Sequence, residues 1–259
     1  MVIAPSGTSA DVDTVLGKAV ALLRAFGADD VELSLSALVE RTGLPKTTVH
    51  RVANDLVAHR LLDRGELGYR LSGGLFELGL RASVERSLLE LAMPFLQDLY
   101  ERTHETVHLG VREGVEVVYI TKIAGRRQAA SPSRTGGRMP LHCTAIGKVL
   151  LAWAQDDVKQ SVLTGPLTRR TAHTIVAPGI LARQLNAALE EGVAYEREES
   201  ALGILCVAAP ILMAAGGPVA AISLTGPAGR FDPNLHVDAL RAAAHGLSSI
   251  VAQRRSLLR

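Results

Sequence analysis

Apolar residues in the first part of the chain recur at intervals of three and four, which is the spacing of helices that bury one face. This spacing predicts three helices, at residues 12–26, at residues 36–42 and from Pro45 onward. Ser36 is expected to cap the second helix, and Gly43 suits the left-handed position that ends it. Val15 and Leu16 of the first helix are expected to face the core.

Two short strand-like runs follow the third helix, at residues 61–64 and 69–71, around a turn that contains glycine. Three helices closed by a hairpin form a winged helix-turn-helix. This fold places its third helix in the major groove of DNA and its hairpin, the wing, beside the DNA backbone. A connector helix is expected next, within residues 74–84.

The remainder of the chain predicts an α/β unit. A long helix is expected at residues 85–105, in which Pro94 should introduce a kink or a break. At residue 106 the pattern changes to the alternation that is typical of strands. The predicted strands are 106–114, 115–123, 193–198, 204–213 and 219–225, and the predicted helices are 144–154, 179–191 and 232–254. This order indicates an antiparallel sheet.

A chain of 259 residues is long for one domain and sufficient for two, at about 100 to 200 residues each. We therefore expect an α+β protein of two domains. After a disordered N-terminus at residues 1–11, the winged helix-turn-helix spans residues 12–74. The connector helix and an α/β domain span residues 75–259.

The third helix has two different faces. Its predicted core face consists of Val49, Val52, Ala53 and Leu56. The opposite face carries hydrogen-bond donors that we expect to read DNA bases, namely Thr47, His50, Arg51 and Asn54. A plain solvated face more often alternates Glu and Lys for mutual support, whereas this one has Asp55 as its single acid. The pattern favours a helix whose side chains contact DNA bases over an ordinary surface helix.

Four further residues are expected to contact DNA phosphates: Lys46, Thr48, Arg64 and Arg70. The first two lie at the start of the third helix, where unpaired backbone amides attract phosphate. For each wing arginine, a solvent-facing side chain is an equally good interpretation. Acids and bases are nearly balanced in residues 1–72, which argues against a protein that coats DNA nonspecifically.

Composition removes several classes of protein. Aromatic residues make up 3% of the chain, too few to grip single-stranded nucleic acid by stacking. The two cysteines, Cys143 and Cys206, form no zinc-binding or disulfide pattern, so we expect a reducing cytoplasm. No segment has the pattern of an export signal or the about 18 apolar residues that a membrane span needs. We expect no metal, no cofactor and no membrane partner.

The predicted strand at 219–225 has one apolar face and one face of small and hydroxylated residues. The hydroxylated face carries Ala221, Ser223 and Thr225, and Cys206 lies on a similar face of the neighbouring strand. Small side chains leave space, and hydroxyls in that space need partners. Two interpretations stay open: a helix packed closely on this face, or a ligand site.

A helix start in "LHCTAIGK" adds to the ligand interpretation. Thr144 is expected to be its N-cap, and the free amides of Ala145 and Ile146 are suited to a carboxylate. An acidic metabolite is therefore the preferred effector. Glu196 and Glu199 fit such a ligand only if they point away from it or bind its hydroxyl groups.

Two other functions are possible from the sequence. A small-metabolite enzyme with an accessory DNA-binding domain would use Cys143 or Cys206 as a nucleophile, and a thiol redox sensor would use Cys206. His142 beside Cys143 resembles a metal ligand pair or a nucleophile with its base, but adjacent side chains rarely point into one site. No third ligand and no nucleophile motif accompanies them, so we expect no catalytic residue.

The order of these parts resembles the isocitrate lyase regulator (IclR) family of bacterial transcription factors. The resemblance covers nearly the whole chain. Its carriers are "LSALVERTGLPKTTVHRVANDLVAHRLL", "GYRLS", "MPLHCTAIGKVLLA", "EGVAYEREESALGILCVAAPI" and "GPVAAISLTGP".

The resemblance implies a GAF-like effector-binding domain and effector contacts at Glu196, Glu199, Cys206, Ser223 and Thr225. The family more often has Asp or Ser where Glu196 stands. It also implies a homodimer or dimer of dimers that binds a palindromic double-stranded operator under the control of a small molecule. The direction of control and the effector are not readable from the sequence.

Overall fold

The computed structural model describes residues 13–27, 29–81, 83–124, 131–213 and 217–257, without the side chains of 83–86 and 255–257. The expected disordered N-terminus at residues 1–11 lies outside this part of the chain. The chain divides into two compact units, one that ends at Ser83 and one that begins at Val84. The predicted domain boundary between residues 74 and 75 stays a prediction.

The first unit is a winged helix-turn-helix. Its elements are α1 (Val15–Arg24), α2 (Leu35–Thr42), α3 (Lys46–Ala58), β1 (Leu62–Arg64), β2 (Tyr69–Leu71) and α4 (Gly73–Gly79). The strands pair antiparallel, with Asp63 opposite Arg70, and form the wing. Gly43 ends α2 at a φ of +67°, the left-handed conformation that glycine adopts without strain. The predicted helix-turn-helix and wing are confirmed.

The core of this unit consists of the predicted apolar face of α3 packed against α1, α2 and the wing. Val49, Val52, Ala53 and Leu56 are all buried, together with Leu22 of α1. The prediction for the start of α1 is wrong, since Val15 and Leu16 are 64% and 74% exposed. The helix begins at Val15, so its first turn lies beyond the part of α1 that packs on the core.

The N-cap of α2 also differs from the prediction. The helix begins at Leu35, and the Ser34 hydroxyl accepts a hydrogen bond from the Ala37 amide at 3.1 Å. Ser36 lies inside the first turn and is exposed. Both serines precede the apolar pattern by a short distance, and the spacing alone did not distinguish them.

Ser34→Ala is expected to lower the free energy of unfolding by about 1 kcal/mol, because an N-terminal amide of α2 loses its hydrogen-bond acceptor. Urea unfolding of the full chain, followed by circular dichroism, measures the change. Ser36→Ala is the matched control and should be neutral or slightly stabilising, since alanine favours a helix interior. Equal losses in the two variants would contradict the assignment of the cap.

The second unit contains the remaining helices and strands. They are α5 (Ser83–Thr103), β3 (Thr106–Glu113), β4 (Glu116–Ile123), β5 (Arg138–Pro140), a 3-10 turn (Leu141–Cys143), α6 (Ala145–Ala152), α7 (Asp156–Thr164), α8 (Pro178–Glu191), β6 (Ala194–Arg197), β7 (Ile204–Leu212), β8 (Pro218–Pro227), a second 3-10 turn (Pro233–His236) and α9 (Val237–Leu257).

Six strands form one antiparallel sheet in the order β5-β4-β3-β8-β7-β6. One face of the sheet packs on α5 and α9 around Val107, Ile222 and Leu224. The other face is covered by α6 and α8 and carries Cys206 and Ala221. The predicted antiparallel α/β unit is confirmed, and the GAF-like description stays a prediction. None of the described helices combines the length and the apolar composition of a membrane span.

The local predictions for this unit hold only in part. The expected break at Pro94 is wrong, because α5 runs without interruption through this residue, whereas the expected kink stays a prediction. The helix packs Leu88, Ala92 and Leu96 in the core on the sheet, and this packing outweighs the loss of one backbone hydrogen bond. The short strand β5 and the polar helix α7 were not predicted, because neither carries a clear hydrophobic period.

Candidate DNA-reading helix and ligand cavity

The polar face of α3 is uncovered within its unit. Thr47, His50 and Arg51 are exposed, and Asn54 is half-buried. The last three lie three, four and seven residues after Thr47, so all four follow one side of the helix over two turns. The Arg51 guanidinium lies 3.9 Å from the Asp55 carboxylate, and both side chains are about 60% exposed. An ion pair of this kind is worth ~0–1 kcal/mol, so a DNA base can replace it.

The wing and α3 are joined by a hydrogen bond between two predicted contact residues. Arg64 donates to the Asn54 Oδ1 atom at 2.6 Å, and its guanidinium lies 5.6 Å from the centre of the Tyr69 ring. The Asn54 amide nitrogen is 3.5 Å from the His50 Nδ1 atom. The Asn54 amide nitrogen can therefore donate to a DNA base only after its contact with His50 is broken. Its oxygen becomes available only if Arg64 moves.

The start of α3 has the features of a phosphate site. Pro45 precedes the helix and provides no capping side chain. The amides of the first turn have no acceptor within a helix, and they attract anions. Lys46 is exposed and Thr48 half-buried in this turn, and Arg70 of the wing lies 3.7 Å from Asp63. The four predicted phosphate contacts are thus placed on α3 and the wing.

A cavity lies in the second unit between the sheet and α6. It is lined by the predicted residues Ala145, Ile146, Glu196, Cys206, Ser223 and Thr225. The other lining residues were not predicted from the sequence; they are His108, Tyr119, Ser131, Pro132, Ser133, Met139, Ser200 and Ile204. The free space accommodates roughly one water molecule, so a larger ligand requires side chains to move.

On the hydroxylated face of β8, the sequence left open either a closely packed helix or a ligand site, and the structure has features of both. Helix α6 does pack on this side of the sheet, and the hydroxyls point into the remaining space. Thr225 donates to the Cys206 Sγ atom at 3.1 Å, and the Ser223 hydroxyl lies 3.4 Å from the His108 Nδ1 atom. In these bonds both hydroxyls contact side chains and not the backbone. A ligand that enters the cavity could replace these side-chain partners.

His108 links the sheet to the segment at residues 131–133. Its Nε2 atom is 2.7 Å from the Ser133 hydroxyl, which in turn lies 2.6 Å from the Ser131 hydroxyl. Burial, with a smaller contribution from the charge of nearby Lys122, lowers the pKa of His108 to about 3, so the ring is neutral at pH 7. The alternation of β3 places His108 on the face of Ser223, its partner across the strands. The alternation in "TVHLG" was a sequence signal for this position of His108.

The two predicted effector glutamates have different environments. Glu196 lines the cavity and Glu199 does not. The Glu199 Oε1 atom accepts from the Lys148 ammonium at 2.5 Å in a fully buried pair, and its Oε2 atom has no hydrogen-bond partner. Lys148 also donates to the Tyr195 carbonyl at 3.0 Å. The isolated lysine in "AIGKVLLA" was a sequence signal for such a pair, because a buried ammonium needs a partner.

Thr144 lies outside the cavity lining and caps α6. Its hydroxyl accepts from the Gly147 amide at 3.0 Å, as predicted for an N-cap. The capped amide is that of Gly147, so Thr144 does not cap the amides of Ala145 and Ile146, two residues that line the cavity. The described residues that line the cavity include no lysine or arginine. A carboxylate ligand therefore needs neutral donors.

The two cysteines and His142 are placed unfavourably for catalysis. Burial raises the pKa of Cys143 to about 12, and it raises the pKa of Cys206 well above its usual value. Thiols in such environments carry little thiolate at pH 7. The His142 Nε2 atom lies 3.1 Å from the Thr168 carbonyl oxygen. In the part of the chain that the structure describes, no three His, Cys, Asp or Glu side chains are placed to hold a metal ion.

Together, the two units define a DNA-binding regulator with a separate ligand-binding domain. Residues 15–66 match the model of the IclR helix-turn-helix domain, and residues 81–249 match the model of the bacterial transcriptional regulator IclR C-terminal domain. The chain belongs to the IclR family of bacterial transcriptional regulators. The predicted resemblance is therefore confirmed.

Named relatives agree with this assignment. The chain is 35% identical over 218 residues to the HTH-type transcriptional regulator XynR of Escherichia coli K12, which covers 83% of this chain and 86% of XynR. It is 33% identical over 252 residues to KdgR of the same organism, with coverage of 93% and 96%. An IclR homologue from Microbacterium hydrocarbonoxydans, solved with 4-hydroxybenzoate, is 31% identical, has a TM-score of 0.85 and covers 91% of this chain and 98% of its own.

Proposed function

We propose that α3 reads an operator in the major groove and that a small acidic metabolite in the cavity controls this binding. The observation that carries the proposal is the uncovered polar face of α3, where Thr47, His50 and Arg51 are exposed beside a wing. A third helix in this fold enters the groove with such a face.

The contacts divide into two groups. The base readers are Thr47, His50, Arg51 and Asn54, and the phosphate contacts are Lys46, Thr48, Arg64 and Arg70. Arg51 is suited to a bidentate contact with guanine, because its guanidinium is exposed and its ion pair is weak. Arg64 holds Asn54 in the free protein and exchanges this bond for a phosphate on DNA.

The regulator works as a homodimer or dimer of dimers on a palindromic operator. Two copies of α3 then meet half-sites about 34 Å apart or a multiple of this distance. Val15, Leu16 and Phe76 support the proposal, since these apolar side chains are 64%, 74% and 71% exposed in a single chain. Burying such surface between two copies is favourable.

The effector is a small carboxylic acid. The homologue with bound 4-hydroxybenzoate supports this class. Ser223 and Thr225, together with Ala145 and Ile146 of the first turn of α6, line the cavity and supply neutral hydrogen-bonding groups there. Entry requires the bond between Ser133 and His108 to open, because the cavity is narrow. A difference in effector affinity between two arrangements of the connector would change operator affinity by about 1–3 kcal/mol.

The protein is not an enzyme in this proposal. The relatives are named as regulators, and burial keeps Cys143 and Cys206 protonated. These protonated thiols also argue against a redox sensor, whose cysteine reacts as a thiolate. A regulator of bacterial genes acts in the cytoplasm, where the DNA is.

Footprinting tests this function. The full chain should protect a two-fold symmetric site upstream of its own gene or of neighbouring genes. Addition of 4-hydroxybenzoate, or of acids from the pathway that the neighbouring genes encode, should change the protein concentration that gives half protection by about 5- to 150-fold. Absence of any protected site at moderate ionic strength would contradict the DNA-binding role. An unchanged site with every acid would contradict the effector class.

A further inference from the structure

The carboxyl group of Glu196 is buried in the cavity without a cationic partner among the described residues. Glu196 lies on β6 and is 2% exposed. Its Oε1 atom accepts hydrogen bonds from the Ser200 amide, at 2.9 Å, and from the Ser200 hydroxyl. The nearby ammonium of Lys148 is already bound to Glu199 and to the Tyr195 carbonyl.

The groups around this carboxyl come from several elements. The phenol of Tyr119, on β4, and the thiols of Cys143 and Cys206 interact with Glu196. Burial raises the pKa of each of these groups. Glu199 adds a negative charge, and the exposed Arg170 donates to the Ser200 carbonyl at 3.3 Å.

Burial is the largest influence on Glu196 itself and raises its pKa. The two hydrogen bonds from Ser200 and one from the Cys206 thiol oppose this effect, and Glu199 reinforces it. The structure thus contrasts two acids three positions apart. Glu199 has an ammonium partner and is suited to carry a charge, whereas Glu196 lacks one and is suited to carry a proton.

We propose that Glu196 recognises the effector through this proton, by donating a hydrogen bond from its carboxyl group to a carboxylate oxygen of a small monocarboxylic acid. The inference rests on the proposed role of the cavity as the effector site. The acid and the carboxylate share one proton, and no other bond is made or broken. The arrangement explains how a site without lysine or arginine among its described lining residues holds an acid.

The physical basis is the strength of such a bond. An O–H group that donates to a carboxylate forms a short, charge-assisted hydrogen bond, about twice as strong as one between neutral groups. A protonated carboxyl is also a donor, which an ionised carboxylate is not. If Glu196 were ionised, two carboxylates would meet in a buried site and repel each other.

The proposal predicts the direction in which the affinity for the effector changes with pH. The acid effector binds the protonated form of Glu196, so its affinity is constant while Glu196 holds its proton. Above the pKa of Glu196 in the free protein, the affinity falls about tenfold for each pH unit. Glu196→Gln retains a donor at all pH values, because its amide nitrogen replaces the O–H group while its oxygen still accepts from Ser200.

The experiment uses the full-length protein and 4-hydroxybenzoate as the probe. Isothermal titration calorimetry measures its affinity between about pH 5.5 and pH 8.5 for wild type, Glu196→Gln and Glu198→Gln. Glu198→Gln is the matched control. Glu198 lies two positions after Glu196, just beyond the end of β6 and outside the cavity lining. Its Oε1 atom accepts from the Gly203 amide, a bond that glutamine retains. Infrared spectroscopy of the free wild-type protein over the same range detects the band of a protonated carboxyl.

The expected result is a protonated carboxyl band at pH 7 that Glu196→Gln lacks, with wild-type affinity that falls as this band disappears. The affinity of Glu196→Gln should not follow this pH dependence, and Glu198→Gln should behave as wild type. An ionised Glu196 at pH 7, or the same pH dependence in wild type and Glu196→Gln, overturns the inference and leaves the effector site intact. No binding of the acid by wild type at any pH overturns the effector class as well.

Discussion

Lys148→Met lowers the free energy of unfolding of the effector-binding domain by about 3–5 kcal/mol, the largest change expected for a substitution in this protein. The ammonium is fully buried and bound to Glu199 and to the Tyr195 carbonyl. Methionine fills a similar volume but leaves the Glu199 carboxylate buried without a counter-ion. Urea unfolding measures the loss, with the fluorescence of Trp153 at the end of α6 as the signal.

Two further variants test the reason for this loss. Lys159→Met removes a lysine 3.6 Å from Asp156, whose side chain is 95% exposed, and should cost ~0–1 kcal/mol. The double variant Lys148→Met and Glu199→Met removes both buried charges, and it should recover most of the lost free energy. A double variant as unstable as Lys148→Met would show that packing, and not the unpaired carboxylate, causes the loss.

Arg51→Ala relaxes the preference of the regulator at one base position, with a loss of about 1–3 kcal/mol in discrimination there. The guanidinium is exposed on the polar face of α3 and has a weak ion pair with Asp55. The measurement is the affinity of the full chain for its operator and for operators with each single-base change. The variant should bind the operator and the changed base at that position with similar affinity.

Lys46→Ala provides the comparison. Its ammonium lies in the first turn of α3 and is expected to contact a phosphate, which carries no sequence information. The variant should bind all duplexes more weakly by a similar factor, and the slope of affinity against salt concentration should fall by about one. If Arg51→Ala and Lys46→Ala behave alike, the division between base readers and phosphate contacts is incorrect.

The DNA-reading half could be predicted well because its signals are local. Gly43 ends α2 and the apolar spacing of Val49, Val52, Ala53 and Leu56 defines the core face of α3, each within one or two turns of helix. The hydrogen bond from Arg64 to Asn54 was not predictable. It depends on how the wing folds back on α3, which no local spacing encodes.

The proposed effector site could be predicted only in part. Alternation correctly placed Ser223 and Thr225 on the face of Cys206, because side-chain direction in a strand follows from position. The roles of His108 and Ser133 depend on which strands pair and on where the segment at residues 131–133 lies. The sequence also presented Glu196 and Glu199 as equivalent acids, and the pairing of Lys148 with Glu199 distinguishes them.

The central claim is that the uncovered face of α3 reads a specific duplex. Selection from a pool of random duplexes tests it most directly, with the purified full chain at about 0.15 M salt, where nonspecific binding is weak. The account predicts enrichment of a two-fold symmetric sequence whose half-sites lie about 34 Å apart or a multiple of this distance. A pool that stays random after repeated selection, with no duplex preferred over competitor, would contradict the claim.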